Sequence, residues 1–157
     1  MTQPLQGGCA CGAVRYRLAS APMFVNCCHC TWCQRETGSA FVINAIIETD
    51  RLELIQGETL EIPTATESGT PQLIHRCPAC HVALWSHYGG RRYGAFVRAG
   101  TLDQPSGVQP DAHIFTRSKQ PWVNLDGGAP AFEVFYDPQT QWLPESLARR
   151  RAAAARG

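Results

Sequence analysis

No apolar stretch in this chain approaches the roughly 18 residues that a membrane-spanning helix needs. The start, Met1-Thr2-Gln3-Pro4-Leu5, lacks the basic segment and apolar run of a secretory signal. Neither sign of charge is in excess: a formal net charge of +1 gives no general pull toward nucleic acid or an acidic membrane. Long helical periodicity is missing, and so are internal repeats and a domain linker. These absences point to a cytoplasmic protein without nucleic-acid or membrane partners, in a compartment where thiols stay reduced.

Cysteine is what the chain does have. Eight is an even number, which would suit a disulfide scaffold in an oxidising compartment. A reduced compartment selects metal ligation instead. Seven of the eight fall in three clusters: Cys9-Ala10-Cys11, Cys28-His29-Cys30-Thr31-Trp32-Cys33 and Cys77-Pro78-Ala79-Cys80.

The frame around these clusters reads as mainly β. A chain of 157 residues with 44% hydrophobic content fits one domain that buries about 70% of its unfolded surface. Val14, Tyr16 and Leu18 alternate with Arg15 and Arg17, as in a half-buried strand. Phe41 to Ile47 is apolar except for Asn44, which predicts a strand covered on both faces. Further strands are expected around Leu52–Leu54, Leu60–Ile62, Val82–Tyr88 and Tyr93–Ala99, with Gly89-Gly90 as a hairpin turn, and a last one at Phe132–Tyr136. One short helix is signalled: Thr31 as cap, Gln34 completing a capping box, and Gly38 at its end. Residues 1–143 are read as a single zinc-binding domain. Residues 144–157 are an Ala/Arg-rich tail, a frayed helix or disordered, whose Arg149-Arg150-Arg151 run is a solvated end.

The spacing carries chemistry. Residues i and i+2 of an extended segment share a face, so Cys9 with Cys11, and Cys28 with Cys30, can each offer two sulfurs to one ion. A CxxC turn such as Cys77–Cys80 does the same. The two outer pairs make a closed four-thiolate zinc site that clips segments 66 residues apart, which can contribute about 10 kcal/mol or more to folding. Cys28, Cys30 and Cys33 make a three-thiolate site with one position free for water or a substrate thiol, unless a distant His or Asp closes it. Cys33, near the helix start, is expected to favour its thiolate. Cys27 and His29 alternate away from that face and are read as packing residues. Arg91, Arg92, Tyr88 and Tyr93 follow or flank the glycine turn and are read as decorating an exposed hairpin.

In order along the chain, Gly8-Cys9-Ala10-Cys11-Gly12-Ala13-Val14-Arg15-Tyr16, the Cys28–Cys33 cluster, Cys77-Pro78-Ala79-Cys80, His113-Ile114 and Lys119-Gln120-Pro121-Trp122 resemble the glutathione-dependent formaldehyde-activating enzyme family, which includes centromere protein V. The resemblance runs from about Gly7 to Asp126. It implies a β-tent fold of small antiparallel sheets around two zinc ions per chain. Cys9, Cys11, Cys77 and Cys80 would hold the structural ion, and Cys28, Cys30 and Cys33 the catalytic one. It further implies a carbon–sulfur lyase joining formaldehyde to the glutathione thiol to give S-(hydroxymethyl)glutathione. A non-catalytic zinc module that binds a protein partner is the alternative. Two positions depart from the family's pattern: His81 stands where Gly is common, and Cys27 where an aromatic residue is common. His113 and Trp122 match the late motif as packing residues or substrate contacts.

Overall fold

A computed structural model describes residues 4–157. Its ten strands are β1 (Leu5–Gly8), β2 (Arg15–Leu18), β3 (Phe24–Cys28), β4 (Val42–Glu48), β5 (Leu52–Gln56), β6 (Leu60–Thr64), β7 (Gln72–Arg76), β8 (Ala83–Tyr88), β9 (Gly94–Arg98) and β10 (Ala112–Ile114). Three helices accompany them: α1 (Thr31–Thr37), α2 (Pro138–Gln141) and α3 (Pro144–Arg156). The strands make two sheets, ordered β1-β2-β5 and β10-β3-β4-β9-β8-β7-β6. All ladders are antiparallel except β10 against β3. Neither sheet closes into a barrel.

Period-two alternation explains the layering. On β3, Val25 packs into one core, while Phe24 and Cys28 face another. The first core lies between the two sheets, where Tyr16 and Leu18 of β2 meet Ala45, Ile47, Leu84 and Val97. Tyr16 is fully buried, its hydroxyl 2.7 Å from Thr101 Oγ1, so the large ring enters the core without stranding its polar tip. The second core lies on the other face of the large sheet, built from Phe24, Ile46, Ile114, Tyr136 and Trp142. β4 is buried along nearly its whole length, as its apolar run requires. At the tip of the β8–β9 hairpin both Gly89 (φ +59°) and Gly90 (φ +71°) take the left-handed conformation expected of them.

Two expectations are corrected. Phe132–Tyr136 forms no strand; only Ala131 bridges His113, and Phe132 N–H donates to the His113 carbonyl at 2.9 Å before the chain turns away. Tyr136 and part of Phe132 are drawn into the second core, where Tyr136 packs against Phe24 and Phe132, while Val134 and Phe135 stay exposed. The tail is neither frayed nor disordered: α3 runs 13 residues and docks on the sheet. Ser146 Oγ donates to the Met23 carbonyl at 2.7 Å, and Arg149 reaches the buried Glu48 carboxylate at 2.7 and 2.6 Å. Arg150 stacks on Trp142 at 5.3 Å, so two of the three arginines are structural. Among the described residues no helix is long and apolar enough to cross a membrane.

Candidate functional site

All eight cysteines are free thiols, and seven gather in two places. Cys9 and Cys11 lie in the β1–β2 turn, where Gly12 (φ +78°) donates its N–H to the Cys9 carbonyl at 3.2 Å. Cys77 and Cys80 lie in the β7–β8 turn, closed by the His81 N–H on the Cys77 carbonyl at 3.0 Å. The turns belong to different sheets yet meet: Cys9 Sγ is 3.5 Å from Cys11 Sγ, which is 3.7 Å from Cys77 Sγ. All four sulfurs lie within 4.8 Å of one another. Tetrahedral zinc with Zn–S bonds of about 2.3 Å needs sulfurs about 3.8 Å apart, so the set fits the ion. Backbone N–H groups of Val82 and then Cys11 lower the Cys80 thiol to about 6, which favours the thiolate a metal binds. His81 (φ +60°) occupies the left-handed position that suits Gly, and its carbonyl accepts from Arg76 Nη1 at 3.0 Å. It caps the turn and is not among the converging ligand atoms.

Cys28, Cys30 and Cys33 are all buried, with sulfurs within 4.8 Å of one another. β3 ends at Cys28 and α1 begins at Thr31, so the cap is Cys30 rather than Thr31: its Sγ accepts the Cys33 N–H at 3.3 Å. Gln34 makes no capping box; its Nε2 donates to the carbonyls of His29 (2.7 Å) and Ser118 (2.9 Å), tying the helix start to the segment after β10. Gly38 (φ +66°) ends the helix as expected. The favoured thiolate also moves from the expected residue. Sulfur hydrogen bonds from Cys28 and then Cys33 lower Cys30 to about 3, and Cys28, which gives the proton, is pushed up. At Cys33 the Cys28 thiol pulls down, but the Cys30 thiolate and burial outweigh it and raise the thiol to about 12.

A cavity of about 520 Å³ opens over this triplet. Its floor includes Asn26 and Asn44, direct partners across the β3–β4 ladder, and Asn44 in turn pairs with Arg98 across β4–β9. The buried Arg98 donates to Asn44 Oδ1 at 2.5 Å and lies 3.5 Å from Glu36 Oε2. Its charge lowers the Cys33 thiol, offsetting part of the negative charge of the cluster. Of the four residues expected on an exposed hairpin, Tyr88 and Arg91 line the cavity, Arg91 remaining exposed, while Arg92 is exposed and paired with Glu61 at 2.7 Å and Tyr93 lies outside the cavity. Sequence reasoning missed Asn26, Arg98 and Gln72. The signal that could have exposed the row was Asn44, the one polar residue in an apolar run.

Cys27, His29 and His113 meet on the opposite face of β3, as the alternation requires. His29 Nε2 lies 3.6 Å from Cys27 Sγ and 3.0 Å from His113 Nδ1. The three ligand atoms could surround an ion. However, burial, His113 and the Lys119 cation lower His29 to about 4, and that nearby charge opposes a second cation. One N–H···N hydrogen bond accounts for the contact, in keeping with packing roles for Cys27 and His29. His113 and Trp122 do not line the cavity, and Trp122 is 75% exposed.

Residues 4–118 match the family of glutathione-dependent formaldehyde-activating enzymes. The chain is 31% identical over 129 residues to a Halomonas elongata protein that carries that family's name, spanning 78% of this chain and 81% of that protein. It also resembles a crystal structure of a Rhodobacter sphaeroides protein, at 17% identity and a TM-score of 0.47, over 80% of this chain and 98% of the other.

Proposed function

The chain belongs to the glutathione-dependent formaldehyde-activating enzyme family, and from that premise we propose that it joins an aldehyde to a thiol at the Cys28–Cys30–Cys33 centre. Formaldehyde and glutathione, the pair in the family's name, would give the S-hydroxymethyl adduct, a carbon–sulfur lyase reaction run toward synthesis. The thiolate sulfur bonds to the carbonyl carbon and the thiol's proton ends on the former carbonyl oxygen, so nothing leaves. The observation that carries this reading is the convergence of three buried sulfurs beneath a 520 Å³ cavity, joined among the described residues by no fourth Cys, His, Asp or Glu.

A zinc held by these three thiolates would supply an open position that keeps a substrate thiol in its nucleophilic form. A second ion, at Cys9, Cys11, Cys77 and Cys80, would have every position filled and serve the fold. The chain's own residues do the rest. The cavity walls hold both reactants together and remove much of the entropic barrier to their encounter. Arg98 balances the thiolates' charge. Asn26 Oδ1 accepts from Tyr136 and Asn44 Oδ1 from Arg98, so the Nδ2 groups are the donors left for a carbonyl oxygen gaining charge.

Exchange spectroscopy on zinc-loaded protein tests the reading. Formaldehyde and glutathione should equilibrate with their adduct faster than without protein, and the excess should vanish in Cys30→Ser. No excess with glutathione or with any simple thiol would refute it.

A further inference from the structure

We infer that the cavity over the cysteine triplet selects a neutral thiol with an aromatic or bulky apolar body and a hydrogen-bond donor, in preference to one carrying carboxylates. This rests on the reading of the centre as thiol-accepting and specifies which thiol it takes.

Charge is the first observation. Glutathione brings two carboxylates and an ammonium group, and a built site for it needs cations to match. Among the lining residues only Arg91 carries a permanent positive charge, and it sits exposed at the mouth. Arg98 lies beneath the floor and is already committed to Asn44 and Glu36. The one lining carboxylate, Glu67, is engaged by Arg117. A carboxylate in this cavity therefore loses its hydration with at most one cation in return.

The walls are the second observation. Trp32, Tyr88, Phe96, Phe115 and Phe135 surround the space above the sulfurs. Tyr88 and Phe96 pack edge to face at 4.6 Å and form a fixed side. Trp32 and Phe135 keep 43% and 50% of their surface exposed, apolar area that a ligand ring would cover. At about 520 Å³ the space is far larger than formaldehyde and a bare thiol require, and falls within the range of cavities that enclose whole small molecules.

Gln72 is the third. It lines the cavity, is 3% exposed, and its Oε1 has no hydrogen-bond partner among the described residues. A buried carbonyl oxygen of this kind calls for an N–H or O–H from whatever fills the space. The wall thus offers aromatic surface and one waiting acceptor, with little to hold an anion.

The test is calorimetric titration of zinc-loaded protein with N-acetylcysteine, its primary amide and its benzylamide, beside glutathione and 2-mercaptoethanol. These separate the carboxylate from the ring. Affinity should rise along the series, with the benzylamide at least about tenfold tighter than N-acetylcysteine or glutathione. The double variant Trp32→Ala/Phe135→Ala should erase the gain from amide to benzylamide, whereas Arg91→Ala should keep it. Gln72→Leu should weaken the benzylamide more than benzyl mercaptan, which has a ring and no N–H. Tighter binding of glutathione, lost in Arg91→Ala, would overturn the inference, as would a flat series in which 2-mercaptoethanol still binds. Binding by no thiol at all would overturn the thiol-accepting reading and this inference with it.

Discussion

Arg98 donates to Asn44 Oδ1 at 2.5 Å across the β4–β9 ladder, which fixes a buried guanidinium beside three thiols. A buried cation persists only where partners offset its desolvation, and here Asn44, Glu36 and the thiolate charge do so. In Arg98→Met the triplet should bind zinc roughly 10–100-fold more weakly, as when an outer-shell group is lost, while the four-cysteine site keeps its ion. Competition with a chromophoric chelator checks this. Two ions held as tightly as in the parent protein would remove Arg98 from the account.

The two cysteine sites should fail differently. Cys77 is fully buried and ties together turns from separate sheets. Cys77→Ser should destabilise the fold by about 3 kcal/mol or more. Cys30→Ser acts within one six-residue segment and should move the melting temperature by only a few degrees while abolishing the exchange activity. Equal losses of melting temperature would contradict the division into a structural and a reactive site.

Docking of α3 gives a third expectation. The Glu48 side chain is 2% exposed and paired with Arg149. Burial raises its pKa, but the Arg149 hydrogen bonds outweigh that and hold the carboxyl below its ordinary 4.5. A depressed carboxyl stabilises the fold above the unfolded value and loses that contribution as pH falls through the folded one. Stability should therefore drop below about pH 4.5 with a share assigned to this pair. Arg149→Ala should cost roughly 3 kcal/mol at neutral pH and flatten that part of the acid profile. Denaturant titration across pH measures both, and an unchanged acid limb in the variant would oppose the assignment.

Metal count tests the three-way sorting of the ligands. Native mass spectrometry should find two zinc ions per chain, and Cys27→Ser should leave two. A third ion that disappears in Cys27→Ser would show that Cys27, His29 and His113 bind metal despite Lys119.

Much of the frame was legible in local pattern. Alternation placed β2, β5 and β6, a continuous apolar run placed β4, and Gly89-Gly90 marked the turn between β8 and β9, because those signals lie within a few residues. Cysteine spacing foresaw both sulfur clusters, since i, i+2 and CxxC geometry is local as well. What failed was decided by distant partners. Cys30 is a local exception: it took the cap from Thr31 because its sulfur accepts the Cys33 N–H, and the favoured thiolate from Cys33 because the Cys28 and Cys33 thiols lower it, a sulfur role that cap patterns do not encode. Phe132–Tyr136 has the composition of a strand, but Tyr136 is claimed by Phe24, more than 100 residues away, and Phe132 packs on Tyr136. The Arg149–Glu48 pair, 101 residues apart, left no trace in the Ala/Arg tail. The cavity drew residues from β3, β4, β7, β8 and β9, so only its cysteines and the anomalous Asn44 could be singled out.

The central claim is that the Cys28–Cys30–Cys33 site has one position open to a thiol and the four-cysteine site has none. Cobalt-substituted protein shows this directly, since a fourth thiolate intensifies the sulfur-to-cobalt charge-transfer band. The account predicts that millimolar 2-mercaptoethanol, or more weakly glutathione, intensifies the band in the parent protein and in Cys27→Ser, and that Cys33→Ser abolishes the response. A spectrum unmoved by any thiol in fully loaded protein, or a response that survives Cys33→Ser, would contradict it.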